Sequence, residues 1–253
     1  MLLNQTKKRS PPSYRGVARF VILLFCVFLS IFEIPFGLAL DRASGHEHLN
    51  TSLYVRLNGF NQERLGFIKK QKTITPTQMH WSVQFSTLNG DKRIDSTEIQ
   101  TLDGQWVTHP LDTHGLSVPY AFSPYLRVHP SLAEKESRWS EKIKAHRAGD
   151  EHYRIVRVDG QTMGEERITV PAGSFLTQKI QLIIYPGDSG DFKSETRIQV
   201  RLWYELHTQE LIRSETRSNW RLLAGCRRGP CNFDGDWLIE ELMSVSSTAQ
   251  NPM

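Results

Sequence analysis

Residues 198–206 read Ile198-Gln199-Val200-Arg201-Leu202-Trp203-Tyr204-Glu205-Leu206 and repeat with a period of two. Ile198, Val200, Leu202, Tyr204 and Leu206 share one face; Arg197, Gln199, Arg201 and Glu205 share the other. Side chains alternate sides along a strand, so this pattern predicts a strand with one buried face. Met79, Trp81, Val83 and Phe85 alternate with His80, Ser82, Gln84 and Ser86 in the same way, and Leu53, Val55 and Leu57 repeat the pattern. Ile180 to Tyr185 is an apolar run suited to a more buried strand. Turn signals punctuate these runs at Asn58-Gly59, Asn89-Gly90, Asp103-Gly104, Asp159-Gly160, Pro186-Gly187-Asp188 and Asp234-Gly235. Together they predict an all-β fold, an antiparallel β-sandwich or partly open barrel, with at most one or two short helices beyond the N-terminal segment.

Two stretches depart from the pattern. From Ser131 to Gly149, Leu132, Glu136, Trp139 and Ile143 have helical spacing, while Trp139, Ile143 and Ala145 suit a strand face. A short helix near Ser131–Glu136 followed by a strand from Trp139 to His146 reconciles the two. The stretch Pro119 to Pro130 (PYAFSPYLRVHP) is proline-rich, and proline cannot donate to a ladder, so it reads as a linker. The expected organisation is a signal peptide or membrane anchor over 1–39, a β-rich half over 40–130 and a second β-domain over 131–253.

The 253 residues hold 31 lysines and arginines and 27 acids. Five of those bases (Lys7, Lys8, Arg9, Arg15, Arg19) and one acid (Glu33) lie in the first forty residues, leaving 26 of each sign in the remainder. A neutral body argues against nucleic acid as a partner, since phosphate-backbone binding needs a surplus of cations. The segment Phe20 to Phe32 (FVILLFCVFLSIF) is apolar, follows a basic lead and runs to the small residues Gly37 and Ala39. It reads as an export signal cleaved near Ala39, or as an anchor if residues 20–40 stay attached to the inner membrane. Either way the body is expected outside the cytosol, in the periplasm. Cys26 reads as an apolar signal residue, because Phe25 stands where a lipoprotein site needs a small one. Cys226 and Cys231 enclose Arg-Arg-Gly-Pro, and an oxidising compartment favours a disulfide between them.

Gly164 to Phe175 reads GEERITVPAGSF, and Leu202-Trp203-Tyr204 and Glu210-Leu211-Ile212-Arg213-Ser214-Glu215 follow. This resembles an exported bacterial β-domain family of unknown function that includes TapB-like proteins, with a G-E-E-x-V-T-V-P-A-G-T-F strand and turn before a W-Y strand. The resemblance covers roughly residues 139–245. Ser174 stands where the family usually has Thr, and Glu205-Leu206-His207 where members often continue with Ala-Pro and Gly. It implies an all-β, envelope-facing protein and transfers no catalytic residue. The residues agree locally: a strand stops at Pro171, turns at Gly173 and resumes at Phe175.

No constellation specifies a chemistry. Gly187-Asp188-Ser189-Gly190 has the outline of a nucleophile loop, but Asp191 replaces the next glycine and a hairpin turn explains it better. His46-Glu47-His48 and His109, Asp112, His114 are spaced for a metal but lie in a tail and in a loop without further ligands. Asn232, Asp234 and Asp236 lack the later acid of a calcium loop. No metal and no cofactor is therefore expected. Trp203 falls on the polar face beside Arg201. Either a loop or the N-terminal half covers it, or Trp203 and Arg201 form a binding surface for an envelope protein, glycan or lipid. The expected function is a non-catalytic binding or envelope-assembly module. The alternative is an exported hydrolase, for which paired carboxylates or a His–carboxylate contact would be the sign.

Overall fold

The computed structural model describes residues 49–90, 92–111, 119–129, 137–147, 149–186, 193–222 and 231–248. The first strands are β1 (Leu49–Asn58), β2 (Arg64–Ile74), β3 (Gln78–Thr87), β4 (Arg93–Thr101), β5 (Trp106–His109) and β6 (Tyr120–Leu126). They continue as β7 (Arg138–Arg147), β8 (Arg154–Val170), β9 (Gly173–Tyr185), β10 (Lys193–Glu205), β11 (Leu211–Leu222) and β12 (Cys231–Thr248). Each strand pairs antiparallel with the next, and β12 returns to pair with β1 from Leu49↔Thr248 to Asn58↔Leu238. The sheet is a closed up-and-down barrel. This corrects the sandwich or partly open barrel: the long β12 satisfies the edge of β1, which an open sheet would leave unpaired. Among the described residues there is no helix, and none long and apolar enough to cross a membrane. Residues 131–136, where a short helix is expected, lie outside the described residues.

Strand β7 matches the expected strand at Trp139–His146, with Trp139, Ile143 and Ala145 buried. The stretch read as a linker instead carries β6. Its ladder to β7 runs from Tyr120↔Arg147 to Ser123↔Lys144 and stops before Pro124, so the missing proline N–H falls where no ladder bond is required. Glycine misleads in the same way at two other sites. Asn58-Gly59, Asn89-Gly90 and Asp103-Gly104 do turn, with φ of 73° at Gly90 and 83° at Gly104. Asp159-Gly160 and Asp234-Gly235 instead lie inside β8 and β12. Gly160 is needed there because Trp139 lies flat on it: a Cβ at Gly160 would sit 2.0 Å from Trp139 Cε2.

Two apolar clusters fill the interior. One joins Phe122, Ile143, Val156, Leu182, Val200 and their neighbours under β5–β10. The other joins Tyr54, Ile68, Val83, Phe85, Ile212 and Leu242 under β1–β3, β11 and β12. The β8–β9 hairpin reaches the second cluster with Ile168, Ala172 and Phe175, and the Ala172 N–H donates to the Leu242 carbonyl at 3.0 Å. In β1 the apolar residues misidentify the inner face. Tyr54, 1% exposed, packs inward with Ser52 and Arg56 on its side, so Leu53, Val55 and Leu57 face outward.

Candidate functional site

The inner wall of β1, β2, β4 and β12 carries a charge belt within the apolar interior. Arg56 Nη2 donates to Glu240 Oε1 at 2.6 Å, Lys70 Nζ lies 3.5 Å from the other Glu240 oxygen, and Ser214 Oγ donates to it at 3.4 Å. Glu98 on β4 faces His109 on β5, with 3.4 Å between Oε2 and Nδ1, and the His109 ring stacks on Trp106 at 3.7 Å. Tyr54 donates to the Leu211 carbonyl at 2.9 Å, and Ser52 donates to Glu210 at 2.6 Å.

Burial alone would raise the Glu98 and Glu240 carboxyls. At Glu98 it is outweighed by His109, Lys70 and Arg56, which bring the pKa to about 2; at Glu240, Lys70 and Arg56 likewise hold it below the usual range. Burial would lower the Lys70 amine, but Glu240 and Glu98 raise it. All three are therefore charged near neutral pH, and neither carboxyl holds a proton to donate. Catalytic carboxylate pairs work by the opposite arrangement, with one pKa raised. Among the described residues, no serine, threonine or cysteine hydrogen bonds to His109. The belt is a set of mutually compensated charges.

Trp203 lies on the outer face and is nonetheless 4% exposed. Its cover is neither a loop nor the N-terminal half but side chains of adjoining strands. Lys179 Nζ stands 4.8 Å and the Arg213 guanidinium 5.4 Å from the ring, and Nε1–H donates to Glu166 of β8. That hydrogen bond is the main cause holding the Glu166 carboxyl low, with Lys179 adding to it. Arg201 is partly exposed and pairs with Glu215 at 3.3 Å. The two residues adjoin as expected, but the indole presents no open face for a ligand to stack on.

The remaining sequence candidates separate. Asp112 and His114, the Gly187–Gly190 run, His46–His48 and Cys226 lie outside the described residues, as does the Cys231 side chain. Asp234 is engaged by Arg217 at 2.9 Å and Asn219 at 3.0 Å.

The outer wall of β7 and β8 was not singled out by the sequence. Arg138, Lys142 and Lys144 project outward from β7 and are exposed, and Arg157 projects from β8. Lys142 is directly opposite Arg157, and Lys144 opposite Ile155. The Arg157 guanidinium stacks on Tyr185 at 3.9 Å, and Lys144 Nζ lies 4.6 Å from the Tyr153 ring centroid. Asp159 is the one acid in the two rows. It lies 3.5 Å from Arg157 and accepts a hydrogen bond from Ser140 at 2.7 Å. Among the described residues, Lys142 and Lys144 have no carboxylate partner. The signal was present as alternation in Arg138-Trp139-Ser140-Glu141-Lys142-Ile143-Lys144, where every second residue is polar and three of four are cationic.

No family model matches the chain, which leaves the resemblance to the TapB-like family unconfirmed, and no curated protein matches it. Solved structures do. A candidate lipoprotein of Parabacteroides distasonis is 11% identical, with a TM-score of 0.42 over 79% of this chain and 96% of that one. A candidate exported protein with a YmcC-like fold from Bacteroides fragilis is 10% identical, with a TM-score of 0.38 over 79% and 95%. The hypothetical lipoprotein YmcC of Escherichia coli is 14% identical, with a TM-score of 0.32 over 81% and 86%.

Proposed function

We propose that the protein is an exported, non-catalytic module that binds an anionic envelope partner on the outer wall of β7 and β8. One observation carries this reading: Lys142 and Arg157 face each other across the ladder, and the one nearby carboxylate, Asp159, pairs with Arg157 at 3.5 Å and leaves Lys142 and Lys144 without an acid partner among the described residues. Like charges directly opposite in a sheet are destabilising, and the cost is recovered when an anion sits over both. The body as a whole is neutral, so the surplus belongs to this wall rather than to overall composition. The export reading rests on the apolar segment after the N-terminal bases. Native mass spectrometry of protein purified from its own envelope, with and without Lys142→Glu and Arg157→Glu, tests the proposal. The variant should keep the wild-type circular dichroism and lose a co-purifying species; retention of that species by the folded variant would overturn the assignment.

The hydrolase reading draws on the His109–Glu98 contact. It requires His109→Asn to abolish a turnover that the wild type shows on esters or glycosides. A library screen in which both proteins are equally inactive removes it.

A further inference from the structure

We infer that the partner of this wall is an anionic lipid bilayer, on which the barrel lies side-on; this rests on the β7–β8 wall being the binding face. Charge alone would suit any polyanion. The wall also carries apolar side chains in the same row as Arg157: Tyr153, Ile155 and Met163 are 55%, 51% and 48% exposed. A hydrated polyanion leaves those three in water, whereas a bilayer interface takes cations at the phosphate level and apolar side chains just below it.

The arrangement is linear. Tyr153, Ile155, Arg157, Asp159, Gln161 and Met163 follow at every second position up to the irregularity after Thr162, where Met163 is left unpaired in the ladder and exposed. At about 3.3 Å per residue the row from Ile155 to Met163 within β8 spans roughly 26 Å, with Tyr153 just before the strand. Arg138, Lys142 and Lys144 run beside it on β7. The wall is therefore a long strip along which cations and exposed apolar side chains lie side by side, Lys144 opposite Ile155 at one end and Arg138 opposite Gln161, next to Met163, at the other, in keeping with a strand axis parallel to a membrane surface. Tyr153 and Tyr185 further suit the interfacial zone, because each pairs an aromatic ring with a cation.

The test follows acylation of individual lysines in the full chain by mass spectrometry. Vesicles of equal parts phosphatidylglycerol and phosphatidylcholine are compared with phosphatidylcholine alone, and because the five bases before the N-terminal apolar segment also favour anionic lipid, the reading is the protection of the wall lysines relative to a lysine elsewhere on the same barrel. Lys142 and Lys144 should be protected at least about fivefold by the anionic vesicles only, and salt should reverse it. Lys69, exposed on β2, should react equally in both. Each cation removed lowers affinity roughly fivefold, so Arg138→Glu with Arg157→Glu should weaken vesicle binding by about 25-fold or more. Ile155→Ser with Met163→Ser should weaken it as well while leaving every charge in place. Equal labelling in both vesicle types overturns the inference. Protection by dextran sulfate but not by anionic vesicles also overturns it, while the wall stands as an anion-binding face. Protection by neither overturns both readings.

Discussion

Gly160→Ala tests the packing that makes β8 continuous. Gly160 is absent from the positive-φ glycines, so alanine meets no backbone strain there. The cost is steric: the new Cβ would lie 2.0 Å from Trp139 Cε2 and 2.2 Å from Cζ2, and the indole is confined at 8% exposure. Overpacking of this kind costs about 1–3 kcal/mol, equivalent to a fall of roughly 2–12 °C in Tm for a domain of this size. The decisive measurement is a thermal-melt cycle with Trp139→Leu. That change alone should cost several kcal/mol, about 2–5, from the volume removed. In its background, Gly160→Ala should cost less than about 0.5 kcal/mol, since the obstructing ring is gone and alanine loses less chain entropy than glycine. If the two effects instead add within about 0.5 kcal/mol, the Trp139–Gly160 contact does not explain the glycine, and its turn-like dipeptide needs another account.

Burial pushes His129 down to about 4 against the opposing pull of Asp103, and its ring lies 4.3 Å from that of Tyr204. A folded pKa below the unfolded value of 6.5 means stability present above 6.5 and lost as pH falls towards 4, by up to roughly 3 kcal/mol. Urea titrations at neutral and mildly acidic pH should show that loss, and His129→Phe should flatten it; an unchanged slope would contradict the assignment. Val200→Asp places an unpaired charge at a 7% exposed core position and should prevent folding at moderate temperature, whereas Arg201→Ala breaks one partly exposed pair and should cost at most about 1 kcal/mol. Equal tolerance by circular dichroism would mean the β10 register is wrong. Trp203→Ala should cost about 3–5 kcal/mol, as a buried aromatic does, and a near-neutral melt would show that the ring is more open than its contacts indicate. A reporter active only outside the cytosol, fused after Met253, should be active; cytosolic activity would refute export.

Period-two alternation by itself determined the strands at Met79–Leu88 and Ile198–Leu206, the second of which ends one residue earlier at Glu205, because a half-buried strand writes its two environments into alternate residues; at Trp139–His146 helical and strand spacing coexist in the sequence, and the expected strand is the one observed. Turn chemistry determined the VPAG turn: proline stops β8 at Val170, and Gly173, with a φ of 136°, already opens β9 two residues before the expected restart at Phe175. Closure was invisible, since whether β12 meets β1 depends on a register between residues about 190 positions apart that no local pattern encodes. The inner face of β1 was misread for a related reason: Tyr54 and Arg56 are inward only because Ile68, Leu242 and Glu240 are there to receive them. Gly160 looked like a turn until Trp139 was placed on it, and Trp203 looked exposed until Lys179, Arg213 and Glu166 arrived from three other strands. The β7 cations were legible one by one. That Lys142 faces Arg157, with Asp159 the single acid beside them, was decided only by the ladder, because charge repulsion depends on distances that the sequence leaves open until the strands are paired.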